Sequence, residues 1–255
     1  MILFDTPNEE ILKIMLSEWE KVSYYMNRDR DKVRKHFLSL PRTGEVKPFI
    51  RSYTIPTSRN TYTVVSRPVP EGEIYTWCYL KVDGNSGKRR VAILRKNEID
   101  SEEFLMSPSW ILDIYTGHFF SRYRERAGVG GTSIDELIVR FLLLNSKRGI
   151  AVPASMVNPA VKDDSQFAIV SSEGLSFVET SRHMINGVPI HINENRTFVA
   201  KDNLFYKQAM SLMTTDYFIK RLKLEKAKRE GAGAERMMKI MDSGFFEPFQ
   251  AGEHL

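Results

Sequence analysis

Residues 110–126 read WILDIYTGHFFSRYRER and contain a change from strand to helix that organises the whole chain. The first seven of them are rich in branched and aromatic side chains, which predicts a strand. A helix is predicted to follow, from about 118 to 127. Its apolar residues Phe119, Phe120 and Tyr123 fall on one side at about 100° per residue. We therefore expect the aromatic side to pack on a sheet and the opposite side to remain polar.

The sequence before this junction predicts a helix and then two β-hairpins. Thr6, Pro7 and Glu9 have the spacing of a capping box with proline at the first helical position. This helix is predicted to end near Tyr25, and the charged stretch 27–37 is interpreted as a loop and a short helix with a solvated face. Strands paired by short turns are predicted at 50–55, 61–67, 75–82 and 88–96. At the tip of the second hairpin, Arg89 and Arg90 with Lys88 are a secondary candidate for contact with an anion, and the alternative is ordinary edge-strand charge.

The sequence after the junction predicts a second helix and a further group of strands. The glycine-rich residues 128–131 end the first helix, and Thr132 or Ser133 caps the next one. The predicted core residues of this second helix are Ile134, Leu137, Ile138, Phe141, Leu142 and Leu144. Antiparallel strands are predicted around QFAIVS, LSFVET, VPIHIN and RTFVA, with turns at 173–174, 186–187 and 193–195.

These elements predict an α+β fold with a largely antiparallel sheet, an N-terminal helix, a central helix pair and C-terminal helices. Residues 1–200 are predicted to form the core domain. Residues 201–255 are predicted to form a helical extension that packs on the core or projects from it. Within it, the basic run 220–229 is either an exposed helix end or a helix that binds a partner.

Composition narrows the classes of protein that fit. A chain of 255 residues with 42% hydrophobic and 27% charged residues is ordinary for a globular protein. No apolar run approaches the roughly 20 residues that cross a bilayer, and the opening residues lack a signal-peptide pattern, so we expect a cytoplasmic location or a particle assembled there. The net charge of +5 favours an anionic partner. The single cysteine, Cys78, excludes an internal disulfide and is predicted to be a buried, inert thiol.

The polar side of the junction helix carries the candidate site. Four side chains share this face, namely His118, Arg122, Glu125 and Arg126. Arg122 and Arg126 are like charges four residues apart, which costs an isolated helix about 0.2–0.5 kcal/mol, and a bound anion would relieve this repulsion. Backbone N–H groups at the helix start, beside Thr116, would add donors for a phosphate.

These residue types fit proton transfer on a phosphate ester. His118 is the first candidate for acid–base catalysis because imidazole titrates near neutral pH, and Glu125 is the second. With the two arginines, they match metal-independent RNA cleavage, in which the substrate's own 2′-OH attacks the adjacent phosphate. We expect no metal and no cofactor, since the other histidines lack metal-ligand spacing. The alternative is structural: His118 caps the helix, Glu125 pairs with Arg122, and Arg126 is solvated.

The order of these features resembles the barnase-like group of metal-independent endoribonucleases, which includes phage-borne and toxin-like members. The similarity covers about residues 110–200: a strand, a histidine followed by arginines at steps of four, a helix opened by Thr132 and Ser133, and a final strand with the motif RTFV. The resemblance implies a ribonuclease site on the junction helix, with Thr197 of the late strand facing it. Lys201, just after that strand, is a further candidate for phosphate binding.

The leading hypothesis is therefore a protein that acts on nucleic acid, with RNA as partner and metal-independent ribonuclease chemistry. A second hypothesis is a non-catalytic assembly protein of a phage or mobile element, in which the charged stretch 27–37 and the basic run 220–229 contact partner subunits. A third is a nucleic-acid-binding regulator, which would bind in a salt-dependent manner without turnover.

Overall fold

The computed structural model describes residues 1–39, 47–68, 74–84, 89–96, 110–145, 151–158, 161–163 and 165–200, with scattered residues beyond 200. The helices in these ranges are α1 (Asn8–Leu38), α2 (Gly117–Arg126), α3 (Ile134–Leu144) and α4 (Ala154–Val157). The strands are β1 (Phe49–Thr54), β2 (Thr61–Pro68), β3 (Ile74–Asp83), β4 (Arg89–Lys96), β5 (Trp110–Thr116), β6 (Ala151–Pro153), β7 (Gln166–Ser171), β8 (Gly174–Ile185) and β9 (Val188–Ala200).

The strands form one sheet in the order β1-β2-β3-β4-β5-β9-β8-β7-β6. Within the described ranges, each pair of neighbours is antiparallel except β5 and β9, which are parallel. The α+β fold with a largely antiparallel sheet is therefore confirmed, as are the N-terminal helix and the central pair α2 and α3. The parallel pair joins two antiparallel blocks, so the blocks meet at the centre of the sheet.

Helices cover both faces of the sheet. On one face, α1 packs on an apolar cluster that includes Leu112 and Ile192. On the other face, α2 and α3 pack on a cluster that includes Tyr115, Phe141 and Phe198. Because successive strand residues alternate between faces, β5 and β9 contribute to both clusters. The junction at the end of β5 is thus held from both sides.

The helix α1 is longer than the sequence predicted. The charged stretch 27–37 continues it as regular helix to Leu38, so the predicted loop is wrong. Asp29 and Val33 are buried and extend the inward stripe that contains Val22. Two inward positions in the charged stretch are enough to keep the helix on the sheet, and the remaining charges point outward.

The start of α1 also differs from the prediction. Pro7 occupies the N-cap, and no side chain caps the helix. Thr6 does not serve as the cap, because its Oγ1 accepts a hydrogen bond from the Leu3 N–H at 2.9 Å instead. The first turn of α1 therefore has backbone N–H groups that no side chain caps.

The final strand β9 is continuous where the sequence predicted a turn at 193–195. Asn193 accepts a hydrogen bond from Thr180 at 2.9 Å and donates one to Asp113 at 3.0 Å. Asn195 donates to the Ile114 carbonyl at 3.2 Å. The parallel neighbour β5 thus supplies partners for side chains that otherwise favour turns. A register shift between β8 and β9 lies next to these residues.

Other local predictions have mixed outcomes. Asn186 and Gly187 form the predicted hairpin turn, with φ of 52° and 75°. Cys78 is buried, and burial raises the pKa of its thiol to about 12. Leu144, predicted to be core, is 38% exposed because it lies at the end of α3. The predicted C-terminal extension, with its basic run 220–229, lies almost entirely outside the described residues.

Candidate functional site

The start of α2 is fixed by a cap and by a close backbone contact. The Thr116 Oγ1 accepts a hydrogen bond from the Phe119 N–H at 3.2 Å. Gly117 allows the helix to start against β4, since a Cβ there would lie 3.2 Å from the Arg89 carbonyl oxygen. The helix is anchored by buried rings: Tyr123 and Phe119 both form edge contacts with Phe198. The predicted aromatic side of this helix is therefore buried as expected.

A cavity of about 670 Å³ opens at this helix start. The starts of two helices line it, because residues 4–8 lead into α1 on one side and residues 116–118 begin α2 on the other. The end of the β3–β4 hairpin supplies Arg89 and Arg90, and β9 supplies Glu194. The cavity therefore combines helix-start backbone groups, two cations and two carboxylates, those of Asp5 and Glu194.

Arg90 is the structural centre of this cavity. Its guanidinium donates to the carbonyl oxygens of Phe4 at 2.9 Å and Thr6 at 2.7 Å, and also to the side-chain oxygen of Asn8. The Asn8 amide in turn donates to the Glu194 carboxylate at 3.2 Å. Burial lowers the pKa of Arg90, and the charge of Glu194 acts in the opposite sense. Arg90 thus remains a cation that ties the N-terminal segment to the sheet.

His118 and Arg89 are the more accessible groups of the cavity. The His118 side chain is exposed at the rim, and its ring forms no hydrogen bond within the described part of the chain. Arg89 pairs with Asp83 at 2.8 Å, but both side chains are partly exposed, so this pair opens at small cost. Both groups can therefore reach a ligand in the cavity.

The predicted set of four polar residues is divided by the structure. Arg122 pairs with Glu125 at 2.8 Å, as the structural alternative anticipated, and neither lines the cavity. Arg126 donates to the Phe198 carbonyl oxygen, so it ties α2 to β9. Of the predicted site residues that the structure describes, only His118 and Thr116 lie at the cavity.

Two further predicted site residues come from the late strand and from the position just after it. Phe198 packs on α2, and its neighbour Thr197 therefore lies on the opposite face of the sheet by strand alternation. Thr197 is not among the residues that line the His118 cavity. Lys201 lies outside the described residues.

The cavity contains residues that the sequence reasoning did not assign to the site. Arg89 and Arg90 were only a secondary candidate for an anion, at the hairpin tip. Asn8 and Glu194 were missed because they approach His118 only in the folded chain, from the start of α1 and from β9. The predicted turn at 193–195 also concealed the strand that places Glu194 there.

A second, larger cavity of about 930 Å³ lies between α3 and the outer strands β1 to β3. Its charged lining residues are partly engaged with each other, as in the pair formed by Lys81 and Asp135 at 2.9 Å. Among the described residues, no three His, Cys, Asp or Glu side chains converge as a metal-ligand set. No helix in the described ranges is long and apolar enough to cross a membrane.

Comparison with known proteins adds no relative. No protein-family model, no curated protein and no solved structure matches this chain. The resemblance to barnase-like endoribonucleases therefore stays a prediction, and the geometry of the cavity carries the functional argument.

Proposed function

We propose that this protein acts on nucleic acid in the cytoplasm, or in a particle assembled there, as a metal-independent ribonuclease. The cavity between the starts of α1 and α2 would hold the scissile phosphate. One observation carries this proposal: the accessible His118 lies at a helix start in the same cavity as Arg89 and Arg90. Helix-start N–H groups and arginines are the groups that bind phosphate in proteins.

The residues of the cavity suggest a division of roles. One acid–base group takes the proton from the 2′-OH as its oxygen attacks the phosphorus. A second gives a proton to the departing 5′ oxygen, so the P–O bond breaks and a cyclic phosphate forms. His118 is one of these groups, and Glu194 replaces Glu125 as the other. Arg89 stabilises the charge on the phosphate oxygens.

The arginines outside the cavity fit a supporting role. Arg122 lies one turn along α2 from His118, and its partner Glu125 is well exposed, so the pair exchanges readily with a ligand. We assign Arg122 to a phosphate that flanks the cleaved one. Arg126 is engaged with the Phe198 carbonyl and acts mainly by holding α2 in place.

Cleavage of a single-stranded RNA in the presence of EDTA tests this proposal. His118→Ala should lower the cleavage rate by about 10²- to 10⁴-fold, the usual loss on removing an acid–base group. Glu194→Gln should have an effect of the same order, whereas the matched control Glu125→Gln should leave the rate within about threefold. Undiminished cleavage by the His118→Ala variant, with an unchanged far-UV circular dichroism spectrum, would refute the assignment.

A non-catalytic assembly protein is the second candidate. It is favoured by the engagement of Arg122 and Arg126 within the chain, which leaves fewer cations for a substrate. Light scattering after size-exclusion chromatography separates the two candidates. A stable oligomer of the wild-type chain, with no cleavage of RNA at any concentration tested, would favour assembly.

A further inference from the structure

The positive charge of this chain is concentrated in one segment. Residues 28–51 contain eight basic and three acidic residues, a net charge of +5 that equals that of the whole chain. The rest of the sequence is balanced, with 29 basic and 29 acidic residues. The described part of this segment comprises the second half of α1 and the start of the edge strand β1. One end of the molecule is therefore cationic.

A buried carboxylate organises the cations at this end. Asp29 has a side chain only 1% exposed, and it pairs with Lys32 at 3.0 Å and Arg51 at 2.9 Å, with Arg28 at 3.8 Å. These three cations are 47% (Arg28), 60% (Lys32) and 38% (Arg51) exposed. Three cations thus surround one carboxylate, and two positive charges remain in excess at the surface.

The carboxylate stays ionised at neutral pH. Burial raises the pKa of Asp29, but the hydrogen bond from Tyr53 at 2.7 Å and the charges of Lys32 and Arg51 outweigh it, so the pKa is lowered overall. The cations are therefore held in fixed positions rather than free in solvent. Positions fixed before binding reduce the entropy lost when a ligand arrives.

Four outward residues continue this site along the helix. They recur at intervals of four, four and three residues and form one line, called here the Tyr24 stripe: Tyr24, Arg28, Lys32 and Lys35. The line is about 16 Å long at 1.5 Å per residue. Tyr24 is 64% exposed and lies edge-on to Tyr25. An exposed ring thus stands at one end of a row of cations.

Two arginines at this surface, Arg28 of the stripe and Arg51 beside it, are stacked on rings. Tyr25 and Tyr53 are stacked with centroids 5.4 Å apart. Arg28 lies 5.1 Å from the Tyr25 centroid, and Arg51 lies 5.7 Å from the Tyr53 centroid. Stacking fixes the plane of each guanidinium, and the N–H groups that do not face Asp29 can bind an anion.

We propose that the Tyr24 stripe, with Arg51 beside it, binds a single-stranded nucleic acid. The cations contact successive phosphates, and a base stacks on Tyr24. Interleaved cations and exposed aromatic rings are typical of single-strand binding, and base stacking on such a ring contributes about 1–3 kcal/mol. An acidic protein would use the charges, but a single strand also supplies a base beside each phosphate, so one ligand satisfies both the row of cations and the exposed ring. The choice of nucleic acid rests in part on the proposed function.

This surface is separate from the His118 cavity. The cavity lies at the start of α1, and Arg28 lies 20 residues further along the same helix, which is about 30 Å. A strand long enough to reach both would be held by the stripe while its phosphate occupies the cavity. The stripe therefore binds substrate without taking part in the chemistry.

Fluorescence anisotropy tests the proposal with a labelled 2′-O-methyl RNA of about 16 nucleotides, which has no free 2′-OH and cannot be cleaved. The Tyr24→Ser variant should bind at least about fivefold more weakly. The double variant R28Q/K35Q should bind about five- to tenfold more weakly, and the slope of log K against log salt should fall by about 1.4. Because the 2′-O-methyl RNA cannot be cleaved, this assay measures binding to the stripe without turnover, so failure of the ribonuclease proposal is distinguishable from failure of this one.

The matched control is R30Q/R34Q, which removes the same charge from exposed positions of the same helix outside the stripe. Its affinity should stay within about twofold of wild type, since these residues lie on the other flank of α1. Equal weakening by both double variants would overturn the proposal, because binding would then depend on net charge alone. Absence of RNA binding by the wild type, with stripe-dependent binding to phosphatidylserine vesicles instead, would also overturn it.

Discussion

The two ends of α1 hold arginines in opposite ways. At its start, Arg90 gives its hydrogen bonds mainly to neutral carbonyl oxygens, and Glu194 lies nearby as a counter-charge. In its second half, Asp29 is shared among three cations. The start is therefore close to balanced in charge and offers a histidine and backbone donors. The second half is strongly cationic.

The difference between the two ends of α1 separates proton transfer from the binding of a polyanion. Proton transfer needs a cavity that positions a few acid–base groups. Attraction of a polyanion needs many cations spread over a surface, and it increases with their number. We infer that one helix joins a reacting site to a binding surface.

The largest effect is expected from removal of the shared carboxylate. Asp29→Asn should lower the free energy of unfolding by about 2–3 kcal/mol, since charge-assisted hydrogen bonds are lost and three cations repel each other. The partial exposure of these cations keeps the cost below that of a fully buried pair. Urea denaturation measures it. Asp31→Asn, at an exposed neighbouring position, should change stability by less than about 0.5 kcal/mol.

Lowering the pH should remove the contribution of the Asp29 carboxylate to the stability of the wild type. The pKa of Asp29 is lower in the folded chain than its unfolded value of about 3.9. Its contribution is therefore complete above about pH 4 and is lost as the pH falls through the folded pKa. The difference in unfolding free energy between wild type and Asp29→Asn should be constant from pH 5 to 7 and shrink below about pH 4. A difference that grows on acidification would contradict this ionisation state.

Substitutions at the start of α1 should lower the free energy of unfolding by less. Arg90→Gln removes the donors to Phe4 and Thr6 and should lower the free energy of unfolding by about 1–2 kcal/mol. This cost is smaller than for Asp29→Asn because a hydrogen bond to a neutral carbonyl oxygen contributes less than one to a carboxylate. Arg89→Gln, at the accessible neighbour, should cost less than about 0.5 kcal/mol. Thermal unfolding monitored by circular dichroism measures both. A larger loss for Arg89→Gln would mean that its pair with Asp83, and not Arg90, anchors the hairpin.

The junction of β5 and α2 was predictable from sequence because its signals are local. A strand pattern and an aromatic side in helical spacing lie within seventeen residues, and the structure contains both. The cap was not predicted correctly, since Thr116 caps the helix in place of His118. Local pattern also predicted the hairpin at Asn186 and Gly187. Such features depend on backbone preferences and on neighbours in the chain, which a sequence displays directly.

The two ends of α1 were not predictable, since each depends on distant partners. Asp29 appeared to be one solvated charge among many, because its partner Arg51 lies 22 residues away on β1. Glu194 appeared to lie in a turn, because only the parallel pairing of β9 with β5 makes that segment a strand. The cap of α1 was misplaced for a related reason: Thr6 has a local partner in Leu3 that competes with the helix.

The smallest predicted effect compares two threonines that precede helix starts at the same cavity. Thr116 caps α2 through its hydroxyl, so Thr116→Val should cost about 1 kcal/mol. Thr6 does not cap α1, so Thr6→Val should cost less than about 0.5 kcal/mol, the value of one exposed hydrogen bond. Chemical denaturation of both variants gives the comparison. Equal losses would show that Thr6 contributes to the start of α1 after all, and the uncapped donors assigned to that end of the cavity would then be occupied.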